Sequence, residues 1–408
     1  MMQLTVLASG LCVASRHMPG VETVAVGLYA DAGSRHEAAR VNGIAHLFEH
    51  MLFKGAGGRS AREISETIED VGGDLNAATD REGTSFTASL LAEHLPLGIE
   101  LLSDMVLRPH FDPGDLAREK EVVLQELGEA RDTPSDLIFD ELWAAAYPDQ
   151  PLGRSILGDE ASIAAITADD LHLWRTRQYR SGSLYLVAAG KVDHDSLVRL
   201  AESRFAGLPE GVIEPAEPAR FAGGRRAGSA RADQAHLAGA YPGPAQLDED
   251  YYAARLFADL VGGGASSRLF QAVREDRGLA YTVWASLHPY RDTGIFHVYA
   301  ATARREAAAA AALIDEVVAG AVEGASPREL ERARTQAKAS LLMSLESTWG
   351  QAAYVARQLS VHGRLVEPTE VVRDLEKVTL DQVREAGARM LAGPRASATM
   401  GLPAVRAA

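Results

Sequence analysis

Apolar and polar residues alternate along the first 30 residues of the chain, as they do in half-buried β-strands. From Val41 to Phe53 the apolar residues recur every three or four positions, which predicts a helix. Ser60 and Glu63 have the spacing of a capping box and predict a second helix, which ends near Val71. This part of the chain is also predicted to contain a hairpin formed by 75–78 and 84–90, and a strand at 183–189. Five further helices are predicted at 95–107, 113–130, 136–146, 168–177 and 195–205.

A break in composition divides the chain into two parts. Residues 207–232 are rich in proline, glycine and arginine and show no periodicity, so we predict that they form a linker. The parts on either side, 1–206 and 233–408, each have the length of an ordinary domain. Since strands and helices are mixed in both parts, we predict an α+β fold in which helices pack on a mixed, largely antiparallel sheet in each domain.

The second part of the chain repeats the order of elements found in the first. Residues 255–259 occupy the place that residues 46–50 hold in the first part. A glycine-rich stretch, a serine that begins a helix, and a strand–turn–strand follow in both parts, with Ser60 in the first and Ser266 or Ser267 in the second. We therefore predict two homologous domains of about 200 residues each, of which one carries the chemistry.

Composition limits the classes of function. The chain has 408 residues, of which 47% are hydrophobic and 24% charged, as is usual for a globular protein with a buried core. The formal net charge of −15 disfavours binding to nucleic acid or to an anionic membrane, and is compatible with cationic substrates or with solubility alone. Cys12 is the only cysteine, which excludes an internal disulfide and a thiolate zinc site. Since neither a signal peptide nor an apolar stretch of about 18 residues is seen, we expect a cytoplasmic protein without a membrane span.

The segment His46-Leu47-Phe48-Glu49-His50 carries the candidate chemistry. On a helix, His46 and His50 lie one turn apart on one face, and Glu49 shares their arc. Two neutral imidazoles so placed can bind one zinc ion, and a nearby carboxylate can take a proton from an attacking water. The order is that of the H-x-x-E-H, or inverzincin, motif. The alternative is an amphipathic helix that happens to carry two histidines and a carboxylate.

A catalytic zinc ion usually has three protein ligands and one open position, so a third ligand is needed. The predicted helix at 113–130 offers Glu119 and Glu126, which are seven residues apart and therefore lie on one face. Helical spacing allows either glutamate to reach the metal and does not choose between them.

These residues and the segments around them resemble the pitrilysin/insulinase family of zinc peptidases, and most closely the type of the mitochondrial processing peptidase beta-subunit and its bacterial relatives. The similar segments follow the family order over nearly the whole chain, at 32–35, 43–55, 72–73, 75–77, 118–126, 151–158, 262–270 and 274–281. The resemblance implies that each domain is an αβ-roll and that the two domains form half of a clamshell chamber.

The resemblance also implies the metal site. The third zinc ligand of the family lies 76 residues after the second histidine, which matches Glu126, and one Zn²⁺ is expected per chain. The accessory glutamate one heptad earlier matches Glu119, which would support the ligands. Glu49 would act as the general base.

Substrate binding follows from the same resemblance. The family adds its peptide substrate as a strand to a sheet edge at an Asn-Ala pair, which matches Asn76 and Ala77. An arginine and a tyrosine in the second domain match Arg274 and Tyr281, and would hold the scissile region and the oxyanion.

Two positions depart from the family pattern, because Ala78 and Phe86 stand where its members often have tyrosine. The departures bear on the shape of the substrate pocket, and hence on preference, while the zinc motif is complete.

The predicted function is that of a zinc endopeptidase acting on unfolded peptides inside a closed chamber. Since this chain has two of the four domains that build such a chamber, we expect a homodimer whose sites are completed in trans by Arg274 and Tyr281. Two alternatives are a non-catalytic scaffold or chamber subunit that partners another peptidase chain, and a metal-binding protein without turnover.

Overall fold

The computed structural model describes residues 2–228 and 232–402. The strands, in chain order, are β1 Met2–Val6, β2 Cys12–His17, β3 Thr23–Ala30, β4 Gly55–Ala56, β5 Arg59–Ser60, β6 Asp74–Thr79, β7 Thr84–Leu91, β8 Leu184–Gly190, β9 Gly224–Ala227, β10 Ala235–Gly243, β11 Ala280–Pro289, β12 Gly294–Thr302 and β13 Ala396–Met400. The helices are α1 Ile44–Leu52, α2 Ala61–Glu69, α3 Leu95–Leu107, α4 Pro113–Asp132, α5 Pro134–Ala146, α6 Glu160–Ala165, α7 Ala168–Gln178, α8 His194–Arg204, α9 Tyr251–Gly262, α10 Ala307–Gly324, α11 Pro327–Ser344, α12 Thr348–His362, α13 Pro368–Lys377 and α14 Leu380–Ala392, with a π-helical segment at Phe270–Asp276.

The chain forms two compact units, and neither is contiguous in sequence. Unit 1 comprises the chain up to Leu127 together with Ser155–Glu217 and Leu342–Val366, and unit 2 comprises the remaining segments. The units therefore differ from the predicted domains 1–206 and 233–408. The difference arises because α5 belongs to unit 2 and α12 to unit 1, and helical periodicity shows an apolar face without showing which sheet that face covers.

The predicted linker 207–232 also contains ordered structure. Residues 218–228 belong to unit 2, and β9 within them pairs in parallel with β13. β9 has the sequence Gly-Arg-Arg-Ala and is mostly exposed, so it lacks the apolar alternation that marks a strand. Residues 229–231 of the predicted linker lie outside the described residues.

The sheet of unit 1 has six strands in the order β1–β2–β8–β3–β7–β6. The β2–β8 pair is parallel and the other neighbours are antiparallel. All residues of β8 are buried, as expected for a central strand covered on both faces. The main core, with α1 and α3, covers one face, and α12 covers the other through Val355 and Leu359. β6 lies at the edge of this sheet.

The sheet of unit 2 has five strands in the order β11–β12–β10–β13–β9. The β13–β9 pair is parallel and the other neighbours are antiparallel. Phe257 of α9 packs against Phe296 on one face, with 5.7 Å between ring centroids, while Leu142 and Trp143 of α5 pack on the other. Both sheets are thus mixed and largely antiparallel, and the predicted α+β class is confirmed.

The predicted buried helix at 95–107 is α3, whose Ile99, Leu102 and Met105 are all buried in the core of unit 1. Its 13 residues span about 20 Å, which is short of the hydrocarbon core of a bilayer. In residues 2–228 and 232–402, no helix combines the length and the apolar character needed to cross a membrane.

Candidate metal centre

The N-terminus of α1 is fixed by a buried carboxylate. Glu37 accepts hydrogen bonds from the backbone N–H of Gly43 (2.8 Å) and of Ala45 (2.9 Å), and from Asn42 Nδ2 (2.6 Å). Gly43 has φ +93°, and a Cβ there would lie 2.6 Å from Ile163 Cδ1, so this turn requires glycine. A negative charge at this end also complements the helix dipole. The position of the histidine-bearing helix is therefore set by contacts outside the helix itself.

Glu37→Gln is expected to destabilise the protein by about 2–3 kcal/mol, because the amide keeps only one of the two oxygens that accept these bonds. Urea denaturation followed by circular dichroism measures the effect. Glu22→Gln is the control, since Glu22 is an exposed partner of Lys191 and its loss should cost less than about 0.5 kcal/mol. Equal unfolding midpoints for the two variants would contradict this account of the α1 N-terminus.

The structure brings His46, His50 and Glu126 together in unit 1. α1 turns its apolar residues into the core, while its two histidines face α4. Glu126 Oε2 lies 3.8 Å from His46 Nε2 and 3.7 Å from His50 Nε2. One potential ligand atom from each of the three residues lies within 4.8 Å of the other two. Within residues 2–228 and 232–402, this is the one group of three or more such side chains placed to hold a metal ion.

The chemistry of this donor set fits zinc. Two ligands at about 2.1 Å from a tetrahedral ion are about 3.4 Å apart, close to the separations found here. Burial and the neighbouring His50 lower the pKa of His46 to about 4, so His46 presents the neutral imidazole that a metal requires at neutral pH. The Glu126 side chain is 37% exposed, which leaves the centre open to solvent on one side.

Glu119 lies behind the histidines and is buried. Its Oε2 is 3.2 Å from His50 Nδ1, and its Oε1 is 2.8 Å from Lys54 Nζ. Since a carboxylate oxygen accepts hydrogen bonds, Nδ1 is the donor in the contact with Glu119, and Nε2, on the side of Glu126, is the nitrogen placed to bind a metal. Sequence spacing allowed either Glu119 or Glu126 as the third ligand. In the structure Glu126 lies near Nε2 of both histidines, whereas Glu119 lies near Nδ1 of His50.

Glu49 is held beside the metal centre by a threonine from the sheet. Thr79, the last residue of β6, donates its hydroxyl to Glu49 Oε2. The Oγ1 atom of Thr79 also lies 3.5 Å from Oγ1 of Thr84. The Thr84 hydroxyl donates to the carbonyl of Ala32 (2.8 Å). Burial raises the pKa of the Glu49 carboxyl, and the hydrogen bond from Thr79 opposes part of that rise. A carboxylate in such surroundings is suited to accept a proton.

The same strand carries Asn76 and Ala77. β6 pairs with β7 on one side and is the edge strand of the unit 1 sheet, and in the part of the chain that the structure describes no strand pairs with its other side. The Ala77 N–H donates to Asn76 Oδ1 (2.8 Å), and both residues lie a few positions before Thr79. The open edge therefore leads along β6 to the Glu49 carboxylate.

Arg274 and Tyr281 lie together in unit 2. Arg274 belongs to the π-helical segment, and its guanidinium lies 4.6 Å from the ring centroid of Phe270 and 5.0 Å from that of Tyr281. The β11–β12 register shifts between Ala280 and Thr282, so Tyr281 is the extra residue of a bulge. Tyr281 is 74% exposed.

Sequence reasoning missed two side chains that contact the candidate centre. Lys54 contacts Glu119, and its place four residues after His50 is a signal that helical spacing offered. Thr79 contacts Glu49, but a threonine at the end of a strand carries no such signal.

Comparison with protein families gives two matches. The model described as Insulinase (Peptidase family M16) matches residues 12–160, and the model described as Peptidase M16 inactive domain matches residues 165–337. The first range includes both histidines, Glu49, Glu119 and Glu126.

Curated relatives match along nearly their whole length. A protein of Rickettsia bellii named an uncharacterized zinc protease is 33% identical over 396 residues, which are 97% of this chain and 96% of the relative. An uncharacterized zinc protease of Bacillus subtilis is 33% identical over 92% of each chain. One of Mycobacterium tuberculosis is 34% identical over 97% of this chain and 92% of its own.

Two solved structures share the fold. The peptidase M16 inactive domain from Pseudomonas fluorescens has a TM-score of 0.90 at 22% identity and covers 99% of this chain and 98% of its own. A protease from Helicobacter pylori has a TM-score of 0.90 at 20% identity and covers 98% of this chain and 99% of its own.

Proposed function

The chain belongs to peptidase family M16, the insulinase family, and from this premise we propose that it is a zinc-dependent endopeptidase that cleaves extended peptides. The observation that carries the proposal is the arrangement of unit 1, where His46, His50 and Glu126 converge while Glu49 is held beside them by Thr79. Three ligands leave a fourth position open, as catalytic zinc sites do. We propose one zinc ion per chain.

The mechanism assigns a separate task to each side chain. His46, His50 and Glu126 would hold the zinc ion, which when bound would supply a Lewis acid for the scissile carbonyl and for the attacking water. Glu49 takes the proton of the attacking water and later gives it to the leaving amine. Thr79 keeps the Glu49 carboxylate in place, and Glu119 orients His50 through the Nδ1 proton.

Substrate selection in this proposal depends on the open edge of β6. An extended peptide that adds to this edge pairs with main-chain groups near Asn76 and Ala77, and takes the place of the Asn76 side chain at the Ala77 N–H. Because β6 ends at Thr79, such a peptide is led toward Glu49. A folded domain cannot supply an extended backbone.

We assign Arg274 and Tyr281 to the reaction as hydrogen-bond donors to the peptide main chain and to the developing oxyanion. Two observations support this assignment. The Arg274 guanidinium lies 4.6 Å from the ring centroid of Phe270 and 5.0 Å from that of Tyr281, and Tyr281 is the exposed extra residue of a bulge.

The test compares an unfolded peptide mixture with a stable folded domain, each incubated with the zinc-loaded protein. Mass spectrometry should find internal cuts in the peptides and leave the folded domain whole. Rapid cleavage of the folded domain would contradict strand addition. Absence of cutting in both would favour the alternative function, that of a non-catalytic subunit. The observation that supports this alternative is that the second matched family model is described as an inactive domain.

We further propose that the protein is a homodimer, in which Arg274 and Tyr281 of one chain complete the metal centre of the other inside a closed chamber. Two-fold pairing is the commonest closed symmetry, and one chain carries both halves of such a composite site.

Mixing of two inactive variants tests this arrangement. Glu49→Gln and Tyr281→Phe chains, mixed in equal amounts and allowed to exchange, should recover about a quarter of wild-type activity, because half of the dimers are mixed and each has one intact site. Sedimentation establishes the dimer and labelled chains establish the exchange. No recovery after demonstrated exchange, or full activity from a monomer, would exclude the arrangement.

A further inference from the structure

We infer that Lys54 is a positioning residue of the metal centre, whose ammonium group holds Glu119 against His50 so that Nε2 of His50 stays directed at the metal. The inference rests on the proposed function only in that the centre is a zinc site. Lys54 has no role in the proposed chemistry, and the ion pair that it forms among the described residues is with Glu119.

The contacts form a continuous chain from Lys54 to the ligands. Lys54 Nζ lies 2.8 Å from Glu119 Oε1, and Glu119 Oε2 lies 3.2 Å from His50 Nδ1. His50 Nε2 in turn lies 3.7 Å from Glu126 Oε2. Each oxygen of Glu119 thus has a partner of its own, and the two contacts together fix the plane of the carboxylate. With Lys54 removed, one contact remains and the carboxylate can rotate about it.

Because Glu119 is buried, its carboxylate needs the ion pair with Lys54. Glu119 is 6% exposed, and a carboxylate removed from water is costly unless a cation or donors surround it. Lys54 reaches it from just beyond the C-terminal end of α1, where a cation also complements the helix dipole. The Lys54 side chain is 34% exposed, so its removal opens no cavity in the core.

Two physical effects of Lys54 on zinc affinity have opposite signs. By charge alone, a lysine near a divalent cation repels it, so its removal should tighten zinc binding. By position, the lysine orients the residue that orients a ligand, so its removal should weaken binding. Loss of a partner behind a metal-bound histidine typically lowers metal affinity 10- to 100-fold. The sign of the change therefore separates the two effects.

The experiment measures zinc affinity by competition with a chromogenic chelator, on variants that are first shown by thermal melting of the metal-free protein to be folded. Lys54→Met should bind zinc about 10- to 100-fold more weakly than wild type. Lys54→Arg should restore most of the affinity, because a guanidinium can reach the same oxygen. Lys191→Met is the matched control, since it removes a surface lysine that pairs with Glu22, and should leave affinity unchanged. If Lys54→Met does not fold, Lys54→Gln replaces it in the same comparison.

A double variant identifies the route of the effect. In a Glu119→Gln background, Lys54→Met should weaken zinc binding no further, because the link that Lys54 supports is already broken. Unchanged or tighter zinc binding by Lys54→Met, or full additivity with Glu119→Gln, would overturn the inference. The same experiments distinguish failure of the proposed function from failure of this inference. If zinc binding depends on Lys54 as described but no peptide is cleaved, the proposed peptidase function is wrong and the role of Lys54 stands.

Discussion

Replacement of Glu49 by glutamine should lower the rate of peptide cleavage by about 10²–10⁴-fold while zinc stays bound. The amide has nearly the size of the carboxylate and is not one of the three converging ligands, so the metal site is preserved. What is lost is the group that accepts the proton of the attacking water. Initial rates on a quenched peptide, measured at equal zinc content, give the size of the effect.

Glu66→Gln is the control for this prediction. Glu66 lies on α2, is exposed, and pairs with Arg62 one turn away, so its replacement should leave the cleavage rate unchanged. A Glu49→Gln variant that cleaves at close to the wild-type rate would remove Glu49 from the proposed mechanism. Loss of zinc from that variant would instead show that Glu49 supports the metal site.

Glu126→Gln and Glu119→Gln should differ clearly in zinc retention. Glu126 presents one oxygen to both imidazole Nε2 atoms, so its loss removes a ligand and should weaken zinc binding more than about 100-fold. Glu119 contacts Nδ1 of His50, on the side of the ring away from Glu126, so its loss should weaken zinc binding about 10- to 100-fold. Metal analysis after dialysis against a mild chelator compares the two. Equal loss, or greater loss from Glu119→Gln, would reverse the two assignments.

Most elements of residues 1–206 were accessible from the sequence because their signals are local. The capping box at Ser60 begins α2 as predicted, and the apolar residues of 95–107 form the buried helix α3. The side to which a helix packs is a property of the tertiary structure. This is why the helix predicted at 136–146, which is α5, was assigned to the first domain, although it packs on the sheet of unit 2.

The candidate site shows the same limit. His46, Glu49 and His50 are close in sequence, and helical geometry alone puts them on one face. Glu119 and Glu126 share a face of α4, so the choice between them depended on the family spacing, and the structure adds that Glu126 lies beside both Nε2 atoms and Glu119 beside His50 Nδ1. Lys54 contacts Glu119 and Thr79 contacts Glu49, and each contact joins residues 30 or more positions apart, so the local sequence does not identify the partner of either residue.

We propose that one zinc ion, bound by His46, His50 and Glu126, makes this chain a peptidase. Titration of the metal-free protein with zinc, with peptide cleavage assayed in the same samples, tests it most directly. We expect no cleavage without metal, a rise in rate in proportion to added zinc, and saturation at one zinc ion per chain. Cleavage by the metal-free protein, or no cleavage once one zinc ion per chain is bound, would contradict it.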